Sequence, residues 1–248
     1  MEWQTILIDC ADHFPETNRN DPFSIVIVTF NYQGNADDKE FLDKVIVKGH
    51  ELAEMVHTGA ANDATHNRSK KRVIKNCVAG VIAEQLWKMY LNKDKPVVTE
   101  TEYIGAAAQI DLLIIGVYKK VEVRSSFPRN SIEFAICHKK YQFDILGPYA
   151  NSYKPAEIEK DYYVRTLFHL PAEEYLSQKI KSDKFEVVLA GGATWGMMAD
   201  NNIAIVKTLI PEDELEPLRL GEATNYRVVP YSKALDTLQI YDLITSES

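Results

Sequence analysis

The sequence predicts an α/β fold, and three observations carry that prediction. Residues 109–126, QIDLLIIGVYKKVEVRSS, hold two apolar runs joined by a short basic turn, the pattern of a strand pair packed into a core. Just before them, residues 73–92, VIKNCVAGVIAEQLWKMYLN, place Ile74, Val78, Val81, Ile82, Gln85 and Met89 along one side of a helix. Strand-like and helix-like stretches then alternate along the rest of the 248 residues, and with 46 % apolar content the chain can bury a full core.

Each element has a local reason. WQTILIDC (3–10) and FSIVIVTF (23–30) are rich in β-branched and aromatic residues and bounded by Pro, Asn and Asp, so they read as strands. DDKEFLDKVIVKGHELAEMVHTG follows with helical spacing of Phe41, Leu42, Val45, Ile46, Leu52, Met55 and Val56 and a break near Gly49, giving one or two helices. The run Leu112–Val117 is almost unbroken in apolarity, as expected of a strand buried on both faces. Tyr118, Lys119 and Lys120 form a turn, and Val121–Arg124 alternates, so that Glu122 and Arg124 share one face.

Beyond it, NSIEFAICHKKY (130–141) begins a helix capped by Asn130 or Ser131. QFDILGPY (142–149) and DYYVRTLFHL (161–170) read as strands, and PAEEYLSQKIKS (171–182) as a short helix with Pro171 in its first turn. FEVVLAGGATWGMM reads as a strand, a tight turn at Gly191 and Gly192, and a short helix. The tail adds strands in NIAIVKTLI and NYRVVPYS, an acidic helix or turn in PEDELEPL, and a closing helix with Leu235, Leu238 and Ile244 turned inward.

Composition excludes several classes of function. A net charge of −8, from 28 basic and 36 acidic residues, rules out a polycation that coats nucleic acid, while leaving room for a local basic groove. Cys10, Cys77 and Cys137 lack CxxC spacing, so neither a disulfide framework nor a structural zinc site is indicated. His50 and His57 stand seven apart, too far for a one-turn zinc pair. No apolar segment reaches membrane-spanning length and no signal peptide is evident, so the expectation is a soluble cytoplasmic protein without membrane contact. The glycines at 191, 192 and 196 match neither a dinucleotide fingerprint nor a P-loop.

The chemistry concentrates around residues 111–124. Asp111 at the mouth of one strand and Glu122 on the next can approach the same region if the strands pair, with Arg124 beside them. Two carboxylates and a cation at a sheet end suit a hard dication such as Mg2+, which takes oxygen ligands and activates water; the same residues also occur on ordinary hairpin surfaces. Arg68, Lys70, Lys71, Arg72 and Lys75 form the densest basic cluster, which is either a phosphate-contacting surface or the solvated start of a helix.

Glu84 on the GVIAEQLW helix, Asp111 opening a strand, and Glu122-Val123-Arg124 on the next strand resemble the PD-(D/E)XK nuclease superfamily over roughly residues 75–145. That resemblance implies a restriction-endonuclease-like fold, a central mixed β-sheet flanked by helices. It also implies a metal-dependent DNA endonuclease with Mg2+ or Mn2+ held by Glu84, Asp111, Glu122 and the Val123 carbonyl. Arg124 takes the position of the family's lysine; an arginine stays protonated and cannot act as a base. Gln109, Lys119, Lys120, Ser125 and Ser126 join Arg68, Lys70, Lys71 and Arg72 as expected substrate contacts. The chain is then one nuclease-like domain, 1–248, with residues 1–70 as a subdomain and 146–248 completing the sheet and the substrate-contacting elements. DNA is the expected partner, and cutting both strands implies a homodimer. The alternative is a catalytically silent nucleic-acid-binding or interaction protein that retains the fold.

Overall fold

The computed structural model describes residues 1–8, 21–56, 70–103, 109–127, 144–150, 157–168, 176–182, 184–209 and 224–248. Ten strands occur among them: β1 (Glu2–Ile8), β2 (Phe23–Asn31), β3 (Val98–Glu100), β4 (Leu112–Ile114), β5 (Lys120–Ser126), β6 (Asp144–Ala150), β7 (Tyr162–Phe168), β8 (Lys184–Thr194), β9 (Ile205–Leu209) and β10 (Thr224–Pro230). The α-helices are α1 (Ala36–Met55), α2 (Lys70–Leu91), α3 (Leu176–Ser182), α4 (Trp195–Ala199) and α5 (Thr237–Thr245). The fold is α/β: a seven-stranded sheet in the order β1-β2-β8-β7-β5-β4-β3, flanked by helices, with a second sheet in the order β6-β10-β9. The large sheet is mixed, because β5 and β7 run parallel while its other neighbours are antiparallel.

Period-two alternation divides the large sheet between two cores. Val26, Val28 and Phe30 of β2, Val121 of β5, Val164 of β7 and Val187 and Leu189 of β8 pack with α1, α2, α3 and α5. Ile25, Tyr163, Leu167, Val188 and Ala190 turn the other way, against Ile145 and Val229 of the second sheet and Met198 of α4. Helix α2 is buried nearly all round, from Val73 through Trp87 to Leu91. The Trp87 indole N–H also donates to the Thr166 hydroxyl at 3.0 Å, tying the helix to β7.

Several sequence expectations are corrected. Helix α1 runs unbroken through Gly49, where an added Cβ would stand 2.6 Å from Val78 Cγ2 and 2.7 Å from Val78 Cα; the glycine marks close helix contact, not an interruption. On α2, Met89 is exposed, while Leu86, Trp87 and Tyr90 are buried instead. β4 is only three residues long, since Gly116 (φ +88°) and Tyr118 (φ +56°) bend the chain and expose Ile115 and Val117. Gly191 and Gly192 lie inside β8, not in a turn. Gly191 (φ +75°) interrupts the β7 register, and Gly192 exchanges two 2.9 Å backbone hydrogen bonds with Leu235 where the chain crosses toward α5. On α5, Ile240 and Ile244 face the core and Leu238 is exposed. The helix expected at 130–141 and the acidic segment at 211–218 lie outside the described residues.

Candidate functional site

The site grows from the β4–β5 hairpin. Leu112 pairs with Val121 and Leu113 with Lys120, and the ladder stops there because Asp111 intervenes with its side chain. Its Oδ2 accepts the Val123 N–H at 2.7 Å, which fixes the carboxyl group against β5. Val121 enters the helix-side core, so Glu122 and Arg124 project to the opposite face, where the Arg124 guanidinium lies 5.2 Å from the centre of the Tyr149 ring on β6.

Two residues that sequence reasoning passed over complete the cluster. Parallel pairing sets Val121 beside Tyr162 and Glu122 beside Tyr163, which brings the segment leading into β7 alongside β5. Lys160 is 1 % exposed and its Nζ stands 2.8 Å from Glu122 Oε2, an ion pair without hydrogen-bond geometry at that oxygen. Glu157 Oε1 lies 2.6 Å from Arg124 Nη2, and Glu122 Oε1 3.0 Å from it. The other Glu157 oxygen accepts the Tyr149 N–H at 3.2 Å. Backbone contacts hold Lys160 in place: its N–H donates to the Tyr163 hydroxyl at 3.1 Å, and Asp161 and Lys120 exchange bonds of 2.8 and 3.0 Å. A lysine and a glutamate three apart, just before an apolar strand, were the available signal.

The electrostatics follow from burial. Desolvation, then the nearby charges of Glu122 and Glu84, pushes the Asp111 carboxyl well above the usual carboxylate range, against the pull of the Val123 N–H and Arg124. Burial works against the Arg124 charge, but Glu122 and Glu157 outweigh it and the guanidinium stays protonated. With every carboxyl ionised, Asp111, Glu122 and Glu157 against Arg124 and Lys160 make a surplus of one negative charge in a buried space, which the proton that desolvation favours on Asp111 cancels.

Glu84 belongs to a neighbouring network. It comes from α2, on the helix side, and its Oε1 lies 3.9 Å from Lys48 Nζ. Burial raises it to about 7, with Glu100 adding to the rise while Lys48 and Lys88 oppose it. Asp111 feels both Glu122 and Glu84 and so stands between the two groups. Among the described residues no three His, Cys, Asp or Glu side chains stand close enough to hold a metal ion together. The sheet accounts for this: Glu122 and Glu84 approach Asp111 from opposite faces.

The remaining expected contacts are dispersed. Gln109 turns its amide onto the Ile110 carbonyl at 2.9 Å. Lys119 pairs with Glu247 near the end of α5, and Ser125 and Ser126 continue β5 opposite Thr166 and Leu167. Lys70 pairs with Glu54 at 2.7 Å, whereas Lys75 is buried over the Phe127 ring and is no surface cation. Lys71 and Arg72 sit at the start of α2, roughly 18–20 Å along the helix axis from Glu84 at 1.5 Å per residue. Arg68 lies outside the described residues. No helix is long and apolar enough to cross a membrane among the described residues.

Comparison with known proteins adds one relative. An uncharacterized protein of Methanocaldococcus jannaschii is 27 % identical over 150 residues, covering 51 % of this chain and 50 % of that protein. The chain thus spans about half the length of the curated relative it matches. No protein-family model matches the chain, and no solved structure matches it.

Proposed function

We propose that this protein is a metal-dependent nuclease of the restriction-endonuclease-like fold, hydrolysing DNA phosphodiesters at the Asp111–Glu122 site. The observation that carries this reading is the desolvated Asp111 carboxyl, held by the Val123 N–H beside Glu122, Lys160 and Arg124. A bound dication would displace the Asp111 proton and hold the carboxylate ionised; the surplus of one negative charge among the ionised groups then becomes a surplus of one positive charge, which matches one phosphodiester. Two carboxylates are also a common protein share of a magnesium shell, the rest being water and substrate oxygen. Asp111 and Glu122 therefore fit such an ion, and Glu84 bears on it through the charge it places near Asp111.

A bound Mg2+ or Mn2+ would supply the charge that lowers the pKa of a water molecule toward neutrality. The chain's own groups divide the rest. Arg124, fixed between Glu122 and Glu157, keeps its proton and offers a rigid positive charge to the phosphate. Lys160 can serve in the role of the family's lysine, whose position Arg124 occupies here: its ammonium, 2.8 Å from Glu122, can offset charge developing on the substrate. Desolvation around both cations strengthens their pull, because little water screens it.

The same ion pairs favour a second reading. Lys160 and Arg124 already neutralise Glu122, as they would in a binding protein that kept the fold and lost the chemistry. Incubation with plasmid and with single-stranded DNA in Mg2+ or Mn2+ separates the two. The nuclease reading expects cleavage that Asp111→Asn abolishes with folding intact; binding without cleavage supports the second, and turnover by Asp111→Asn retires the site. Arg124→Lys tests the departure directly, with raised turnover expected if the arginine limits the rate.

A further inference from the structure

A separate convergence of charge lies on Glu100, in β3 at the outer edge of the large sheet. Its carboxylate receives Lys48 Nζ from α1 at 2.8 Å, Lys88 Nζ from α2 at 2.9 Å and the Gln85 side-chain N–H at 2.8 Å. Glu100 is paired with Leu112, one residue from Asp111, and the same Lys48 reaches toward Glu84. The cradle therefore adjoins the candidate site and shares a residue with its margin.

The chemistry of that cradle is the chemistry of a phosphate site. Two ammonium groups and an amide N–H converge on one negative charge spread over two oxygens, as the non-bridging oxygens of a phosphodiester present it. The Lys48 and Glu100 side chains are 48 % and 36 % exposed, so the carboxylate can be replaced by side-chain rotation alone. The hydrogen bonds from Lys48 and Lys88 hold the Glu100 carboxyl down at about 2, so it is charged throughout the neutral range.

We propose that Lys48, Gln85 and Lys88 form a subsite for a backbone phosphate of nucleic acid, which Glu100 fills in the free protein as an internal anion and vacates when a strand enters. This rests on the reading of the neighbouring Asp111 site as one that receives nucleic acid. Glu100 is then a positioning residue: it keeps two lysines from two helices aimed at one point, at the cost of competing with the substrate.

The test is a binding cycle without any dication, so that it does not depend on cleavage. A fluorescent 20-base-pair DNA duplex is titrated in EDTA, at several salt concentrations, with wild type, Glu100→Gln, Lys48→Ala/Lys88→Ala and the triple combination. In wild type an entering phosphate exchanges with the Glu100 charge, whereas in Glu100→Gln it meets one more net positive charge; one such charge corresponds to a slope steeper by about 0.9 in log affinity against log salt, and to a factor of about eight at 0.1 M salt. Glu100→Gln is expected to bind tighter by about that factor with the steeper slope, and the gain is expected to vanish in the triple variant. Glu100→Asp, which draws the carboxylate back, serves in the same cycle should Glu100→Gln fail to fold. Unchanged or weaker binding by Glu100→Gln, a gain that persists without the two lysines, or no duplex binding by any variant overturns the proposal. The gain with no metal-dependent cleavage leaves the cradle standing and the nuclease reading refuted; cleavage without the gain does the reverse.

Discussion

Replacing Glu84 with Gln should stabilise the metal-free protein at alkaline pH. Burial lifts the Glu84 carboxyl from 4.5 to about 7 in the folded chain, so between those values the native state holds a proton that the unfolded chain has released. The sign follows from linkage: where the native state binds more protons, stability falls as pH rises, here from about 4.5 upward and fully by pH 8. At about 1.4 kcal/mol per pH unit, the gap from 4.5 to about 7 makes a penalty of about 3 kcal/mol, not much relieved by solvent since the side chain is only 16 % exposed. Gln carries no charge to desolvate. Urea denaturation in EDTA at pH 5, 6, 7 and 8 should show the variant gaining on wild type by about 3 kcal/mol across that range, or roughly 6–12 °C in thermal midpoint for a chain of this size. Asp111 titrates upward in both proteins, but less far in the variant because the Glu84 charge is one cause of its rise, and this adds to the variant's gain. A stability difference that stays flat from pH 5 to pH 8 would refute the argument, because it would mean Glu84 is ionised as readily folded as unfolded.

Two further outcomes are expected. Lys160→Met leaves Glu122 buried with Arg124 as its remaining close cation; loss of about 3–5 kcal/mol is expected by chemical denaturation, with cleavage lost where wild type cleaves. A stability within 1 kcal/mol or so of wild type would show that Glu122 is not held by Lys160. Gly49→Ala forces a methyl group against the Val78 backbone and should cost about 1–3 kcal/mol, read as a lowered thermal midpoint; an unchanged midpoint would mean α1 and α2 can slide apart freely.

What could be read from the sequence was local. Alternation over Val121–Arg124 placed Glu122 and Arg124 on one face because a strand's side-chain period is two, whatever it packs against, and the structure puts them in contact at 3.0 Å. The apolar run through Val117 misled because hydrophobicity does not report backbone conformation: Gly116 and Tyr118 at positive φ end β4 early and leave Ile115 and Val117 in solvent. Gly191 and Gly192 misled in the opposite sense, since a glycine pair marks a close approach as well as a turn, here the crossing of Leu235.

The sequence by itself determined the α/β class, the strands β2 and β5, the long helix α2, and the approach of Asp111 and Glu122 to one region through one short hairpin. Each rests on residues within a few positions of one another, where propensity and periodicity act directly. Only the tertiary structure decided which charges meet. Lys160 and Glu157 reach Glu122 and Arg124 because β7 docks parallel to β5, and Glu100 meets Lys48 across a separation of 52 residues. It also decided that Glu84 and Glu122 approach Asp111 from opposite sides of the sheet. Coulomb energies depend on distance and on how much water remains, and a sequence fixes neither until distant segments pack.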